Sequence, residues 1–240
     1  MKKAHIIARR ELASYFYSPI AYVVMTLFLV VTGILFSRDF EPGQTAGMRS
    51  LFEWMLFLLV PAVPILSMGL MAQEWATGTV ESLMTAPVEE LDVVLGKFLG
   101  SFGFMIVLLC PTLLYVVILR LYSRPSFDYG PIFSGYMGIV LAGAMFTSVG
   151  LFCSSLTRSQ VVAAVASAAI LFVVTLVPML ATEKATLPPM LRSIADFLVY
   201  RRYTDFARGV IDSGHVIFFV AATAVFLFLS VKALESRRWK

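Results

Sequence analysis

Residues 20–36 read "IAYVVMTLFLVVTGILF". The stretch holds no acid and no base, and its apolar side chains fall on every face whether it is wound with a helical or a strand period. A membrane barrel strand would alternate apolar and polar residues over about ten positions, so this run predicts a bilayer-spanning helix. Residues 163–180, "AAVASAAILFVVTLVPML", read the same way. The rest of the chain agrees: it is 59% hydrophobic and only 14% charged, whereas soluble domains average roughly 45–50% apolar and about 25% charged. A helix needs about 20 apolar residues to cross a hydrocarbon core of about 30 Å. Six runs free of Asp, Glu, Lys and Arg meet that length: Leu12 to Ser37, Trp54 to Gln73, Phe98 to Leu119, Tyr129 to Thr157, Ser159 to Thr182 and Ser213 to Val231. They predict spans at about 18–36, 54–73, 98–120, 132–153, 159–181 and 213–231. The expected fold is an all-α polytopic membrane protein with six transmembrane helices, a single domain over residues 1–240. The longest connection, 182–212, is too short for a separate soluble domain.

Six spans put both ends on one side, and both ends are basic: Lys2, Lys3, Arg9 and Arg10 before the first span, Lys232, Arg237, Arg238 and Lys240 in the tail 232–240. The positive-inside rule places them in the cytoplasm. Lys184, Arg192, Arg201, Arg202 and Arg208 in the 182–212 connection pull the other way. The first span is followed by "SRDFEPGQ" and not by a small-residue cleavage site, so it reads as retained. Within residues 1–17, Ala8, Leu12, Tyr15 and Phe16 share a helical face opposite Lys3, Arg10 and Ser14. That pattern fits a cytoplasmic interfacial helix, and equally a plain basic flank before a span. Cys110 and Cys153 lie within predicted spans in no metal or redox spacing, and read as packing residues.

Residues 73–100, "QEWATGTVESLMTAPVEELDVVLGKFLG", gather Glu74, Glu81, Glu89, Glu90 and Asp92 between the second and third spans. The whole chain has 15 acidic residues and a net charge of +4, so the concentration is local. Gly78 offers a turn and Pro87 a helix start; Glu89 and Glu90 fall in the first turn and Lys97 lies at the far end, as a helix dipole favours. Val88, Leu91 and Leu95 line one side of this expected amphipathic helix. By itself the stretch fits either an ordinary charged cytoplasmic turn or a helix that docks on a partner.

The spacing E-x-x-x-G-T-x-E-x-L-x-x-x-P, carried by Glu74, Gly78, Thr79, Glu81, Leu83 and Pro87 and followed by "VLGKFLG", resembles the cytoplasmic connection between spans two and three of ABC-2 type permeases. "YSPIAYVV" at 17–24, "FTSVGLFCSSLTRSQ" at 146–160 and "FARGVIDSGHVIFF" at 206–219 extend the resemblance in order along nearly the whole chain, which looks most like the gliding-motility-associated branch. The resemblance implies a six-span, type V exporter-like permease fold with short external helices before the last span. It implies a membrane subunit that pairs with a second permease, a homodimer or a related chain, and with two copies of an ABC ATP-binding subunit. Residues 74–97 would then be the coupling element, with Glu81 at the position of the family's characteristic glutamate and with Glu89, Glu90, Leu91 and Lys97 beside it. Acidic side chains confined to one such segment would match basic residues on the partner and set its register.

A P-loop requires G-x-x-x-x-G-K-[ST]; Gly96-Lys97 here is followed by Phe98 and has Leu91 at the first glycine position, so no ATPase of that kind is expected in this chain. ATP and magnesium are expected on the partner, with no cofactor or metal in the permease itself. No Asp, Glu, Lys or Arg stands near a span centre, where ion-coupled carriers place titratable groups; His215 reads as interfacial. Pro61, Pro64, Pro111 and Pro178 predict kinks. The small residues Ala142, Gly143, Ala144, Ser148 and Gly150, with Ala163, Ala164, Ala166, Ser167, Ala168 and Ala169, predict close helix approach within the subunit or, second, at a dimer seam. Near the end of the 182–212 connection, Tyr200, Arg201, Arg202, Tyr203 and Arg208 fit interface anchors or an external gate that meets anionic cargo or lipid headgroups.

The functional expectation is an ATP-driven exporter subunit, multi-pass in the bacterial inner membrane, with both termini cytoplasmic. Membrane lipid is an expected contact, a periplasmic or envelope accessory protein a possible partner, and nucleic acid none. Two other readings stay open: a non-transporting subunit that relays ATPase motion to envelope partners, and an ATP-independent carrier or channel. No selectivity site indicates cargo or direction.

Overall fold

The structure is a computed structural model that describes residues 2–38, 48–79, 89–122, 129–183 and 199–238. Those residues are helical, with no strand among them. In order they form α1 (Lys2–Tyr17), α2 (Pro19–Arg38), α3 (Arg49–Ser67), α4 (Gly69–Thr77) and α5 (Glu90–Leu109). A 3₁₀ turn at Cys110–Thr112 leads to α6 (Leu113–Tyr122), followed by α7 (Gly130–Leu156), α8 (Gln160–Glu183), α9 (Val199–Ala207) and α10 (Ser213–Arg238). Five stretches are long and apolar enough to cross a membrane: Pro19–Arg38, Arg49–Thr77, Glu90–Leu121, Gly130–Leu156 and Ser213–Ser236; a sixth apolar helix begins at Gln160. The chain is therefore an all-α polytopic membrane protein.

The helices run further than the charge-free stretches. The second begins at Arg49 because Glu53, one turn on, is paired with Arg49 at 3.5 Å, which lets a charged pair sit on the helix end. The third begins at Glu90 and runs unbroken to Leu109, so the expected separate amphipathic helix is the first two turns of a spanning one. Its predicted apolar side is not its packed side: Leu91 is exposed and Leu95 half-buried, whereas Val93, Val94, Gly96 and Lys97 are buried. Pro87 and Val88 lie outside the described residues.

Lipid tails are as apolar as leucine, so helices here are held by close packing and hydrogen bonds. α3 and α7 form the centre. Gly135 of α7 lies against the Phe52 ring of α3, Gly143 against Met105 of α5, and Gly150 against Ser67; any Cβ added there would overlap the neighbour. Of the small residues singled out above, Ala142, Gly143, Ser148, Gly150, Ala163 and Ser167 are buried within the chain, while Ala166 and Ala169 face outward. α2 is packed along one stripe only, Ala21, Val24, Phe28, Thr32 and Phe36, leaving Val23, Leu27, Val30 and Ile34 exposed as a lipid-facing surface would be.

α3 and α4 are one span interrupted at Met68. Pro61 and Pro64 remove main-chain donors from α3, while Met68 itself keeps helical angles (φ −56°, ψ −37°) and donates to the Pro64 carbonyl. A side chain from α7 fills the break: the Ser154 hydroxyl donates to the Met68 carbonyl at 2.8 Å and accepts the Met71 and Ala72 N–H groups, each at 3.0 Å. Ser154 thus caps α4 from a neighbouring helix.

Candidate functional site

The site lies where α1 crosses α5. Ala4 and Ala8 of α1 are buried against Gly96 and Gly100 of α5, so a small-x-x-x-small pair on each helix brings the backbones together. A Cβ at Gly96 would stand 2.9 Å from the Ala4 carbonyl, and one at Gly100 would stand 3.0 Å from that of Ala8. Tyr15 completes the contact, stacked on Phe104 with ring centroids 4.8 Å apart. Its hydroxyl donates to the Leu66 carbonyl at 2.8 Å, near the end of α3 where helical carbonyls lose their own partners. Burial pushes the Tyr15 phenol well above its ordinary range, so it stays a neutral donor. The face expected from sequence is therefore part right: Ala8 and Tyr15 are buried and Leu12 half-buried, but Phe16 is exposed.

This close approach encloses a lysine. Lys97, between the two glycines, is 1% exposed. Its ammonium donates to Glu11 of α1 at 2.9 Å and to Glu74 of α4 at 2.7 Å. The exposed guanidinium of Arg10 lies 3.4 Å from the same Glu11 oxygen and 3.7 Å from the same Glu74 oxygen. Two cations and two carboxylates leave the cluster neutral, the condition under which charge is tolerated away from water. The second Glu74 oxygen is buried without a hydrogen-bond partner.

Both flanks of the connection meet at this cluster. On one side α4 ends at Thr77, and Gly78 turns the chain with φ +73°, a left-handed conformation that a side chain would strain. On the other, Glu89 is extended at the N-cap position of α5 without a side-chain capping bond, and the first turn carries Glu90 and Asp92. A cleft of about 510 Å³ opens beside the cluster, walled by Arg10, Ser14, Gln73, Glu74, Thr77 and Thr79. A second, of about 460 Å³, continues from it between Tyr17, Ser18 and Ile20 on one side and Ile65, Leu70 and Gln160 on the other. Of the residues expected to couple to a partner, Glu74, Gly78, Thr79, Glu89, Glu90, Leu91 and Lys97 are described here; Glu81, Leu83 and Pro87 lie outside the described residues.

Tyr200, Arg201, Arg202, Tyr203 and Arg208 belong to the other end of the bundle, spread around α9 and its exit. Tyr203 is fully buried, and its hydroxyl donates to the Phe52 carbonyl at 2.7 Å; burial raises this phenol too. Arg202 stands over the Phe218 ring, 4.5 Å from its centroid, and Tyr200 is tilted against Phe57. Arg201 and Arg208 are exposed. α9 ends in a double main-chain turn, Val210 N–H to Asp205 and Gly209 N–H to Phe206, with Gly209 at φ +94°. Asp212 then caps α10 through the Gly214 N–H at 2.8 Å.

The profile of the family described as "ABC-2 family transporter protein" matches residues 5–237, from within α1 to the last turn of α10. The chain belongs to the ABC-2 transporter family. No curated protein matches it. As an ABC-2 permease it is a multi-pass membrane subunit of an ABC transporter, of a kind that associates with ABC ATP-binding subunits and normally carries no ATPase motif of its own. In this permease sequence reasoning missed Arg10, Glu11 and Ser154. Glu11 had a signal: it is the one acidic residue among the first 38, set in a basic segment.

Proposed function

We propose that this ABC-2 permease is the membrane subunit of an exporter in the bacterial inner membrane, with both termini cytoplasmic, most like the gliding-motility-associated branch. Two ATP-binding subunits, which hold ATP and magnesium, dock on residues 74–97, and a second permease subunit completes the pathway. Closure of the ATPases on nucleotide pulls on this connection and re-packs the spans. The basic residues at both ends support the orientation.

The observation that carries the coupling assignment is the Glu74–Lys97 pair. These residues flank the acidic connection and are bonded at 2.7 Å, so a load on that connection reaches α4 and α5 at one point. Glu81, with Glu89 and Glu90, supplies the acidic surface for a basic groove on the ATPase. The test is co-purification in nanodiscs with the ATP-binding subunit, comparing ATPase rates for wild type and Glu81→Arg. The expected result is stimulation by wild type that the variant loses while still inserting; equal stimulation by both would sink the assignment. Flux measured on the same complex then separates an exporter from a subunit that only transmits force.

A further inference from the structure

Lys97 poses a problem that coupling by surface contact does not explain. A methionine would fill the same space in the α1–α5 crossing without giving up the hydration of an ammonium, and ion pairs of this kind add little net stability over well-packed apolar groups. What the lysine adds is a choice of partners. It joins one carboxylate from α1 and one from α4, elements that Gly96 and Gly100 packing alone would not tie together. α4 is otherwise separated from α3 by the break at Met68, where Ser154 replaces the missing main-chain bonds. A short helix with a break at one end and an ion pair at the other is built as a lever. Its far end also borders water, since the cleft beside the cluster is walled by Thr77 and Thr79 as well as Glu74.

Resting on the coupling role proposed for residues 74–97, we infer that Lys97 is the positioning residue that locks α4 and α1 onto α5. The three helices then turn as one body about the Met68 break when the ATPases pull. The motion passes on to α2, because only Ser18 separates it from α1. Lys97 touches no substrate; it acts by making two flanks and a third helix share one displacement. Glu11 is the link to α1 and Glu74 the link to α4, with Arg10 balancing the charge from the exposed side.

The experiment is pulsed electron spin resonance on the nanodisc complex with its ATP-binding subunit, with Cys110 and Cys153 replaced by alanine. One spin-label pair, His5→Cys with Ala76→Cys, reads α1 against α4; another, Ala76→Cys with Val161→Cys, reads α4 against α8. In wild type, trapping ATP should shift the α4–α8 distance and leave the α1–α4 distance unchanged. Lys97→Met should broaden the α1–α4 distribution and abolish the nucleotide-dependent α4–α8 shift, read on the fraction of the complex that carries the ATPase. The triple variant Lys97→Met/Glu11→Gln/Glu74→Gln, which buries no charge and leaves only the exposed Arg10 without its carboxylates, should fold as wild type does and show the same loss of shift. A triple variant that keeps the full shift overturns the inference and leaves the coupling assignment standing. A wild-type chain that binds no ATPase removes the coupling role itself, and this inference with it.

Discussion

α1 and α9 perform the same task at opposite ends of the bundle. Each is a helix laid against the spans, and each sends a tyrosine hydroxyl to a main-chain carbonyl of α3, Tyr15 to Leu66 and Tyr203 to Phe52. Along α3 those two carbonyls are about 21 Å apart at about 1.5 Å per residue. Around Tyr203 the remaining contacts are mostly neutral: Ser134 donates to the Phe206 carbonyl at 2.7 Å, and Gly138 lets the Phe206 side chain approach. At the α1 end, beside the neutral contacts of Tyr15 with Phe104 and Leu66, four charges meet at Lys97 next to open clefts. Interlocked rings and neutral hydrogen bonds have one good arrangement, and they lose their energy within fractions of an ångström. Ion pairs next to water act over longer distances and exchange partners. On the coupling role proposed above, the α9 end is the fixed one and the α1 end the one that transmits.

The sharpest way to break this contrast is Lys97→Ala, which strands two carboxylates. It should cost about 3–5 kcal/mol of stability, read by unfolding in nanodiscs, and a loss no larger than that of Tyr203→Phe would make the two ends equivalent. Gly100→Val comes next. Its side chain meets the Ala8 carbonyl and Glu11, so the crossing opens at a cost of about 1–3 kcal/mol, and hydrogen exchange should rise in α1 and not in α9. Tyr203→Phe removes one neutral hydrogen bond and keeps the ring, for about 1 kcal/mol; exchange faster at α1 than at α9 in this variant would contradict the independence of the two ends. Smallest of all, Arg208→Ala at an exposed site should change the melting temperature by an amount equivalent to less than about 0.5 kcal/mol. A loss of flux in that variant would then speak of cargo or headgroup contact and not of folding.

The all-helical class and most span positions were legible because hydropathy is a property of each run by itself. At the α9–α10 turn, Gly209 and Asp212 carry a local helix-stop and helix-start signal that the aromatics and arginines of the 182–212 connection overshadowed. Lys97 was not legible. In sequence it looks like the basic end of a short amphipathic helix, and its burial depends on Glu11 and Glu74, which are 86 and 23 residues away. Ser154, which satisfies the main chain at the Met68 interruption, was not legible either: it is one serine among many in a span where most hydroxyls bond to their own helix. Tyr203 sat in a row of aromatics and arginines with nothing in the spacing to single it out for burial.

The order in which the cluster is synthesised has a consequence of its own. Glu11 and Glu74 both leave the ribosome before Lys97 does, so until then Arg10 is the one cation of the cluster beside them. α1 cannot complete its packing until the third span follows with the lysine, which arrives with both of its carboxylates already made. The same residues that bind the mature helices together therefore hold back the final packing of α1 until the third span has been made.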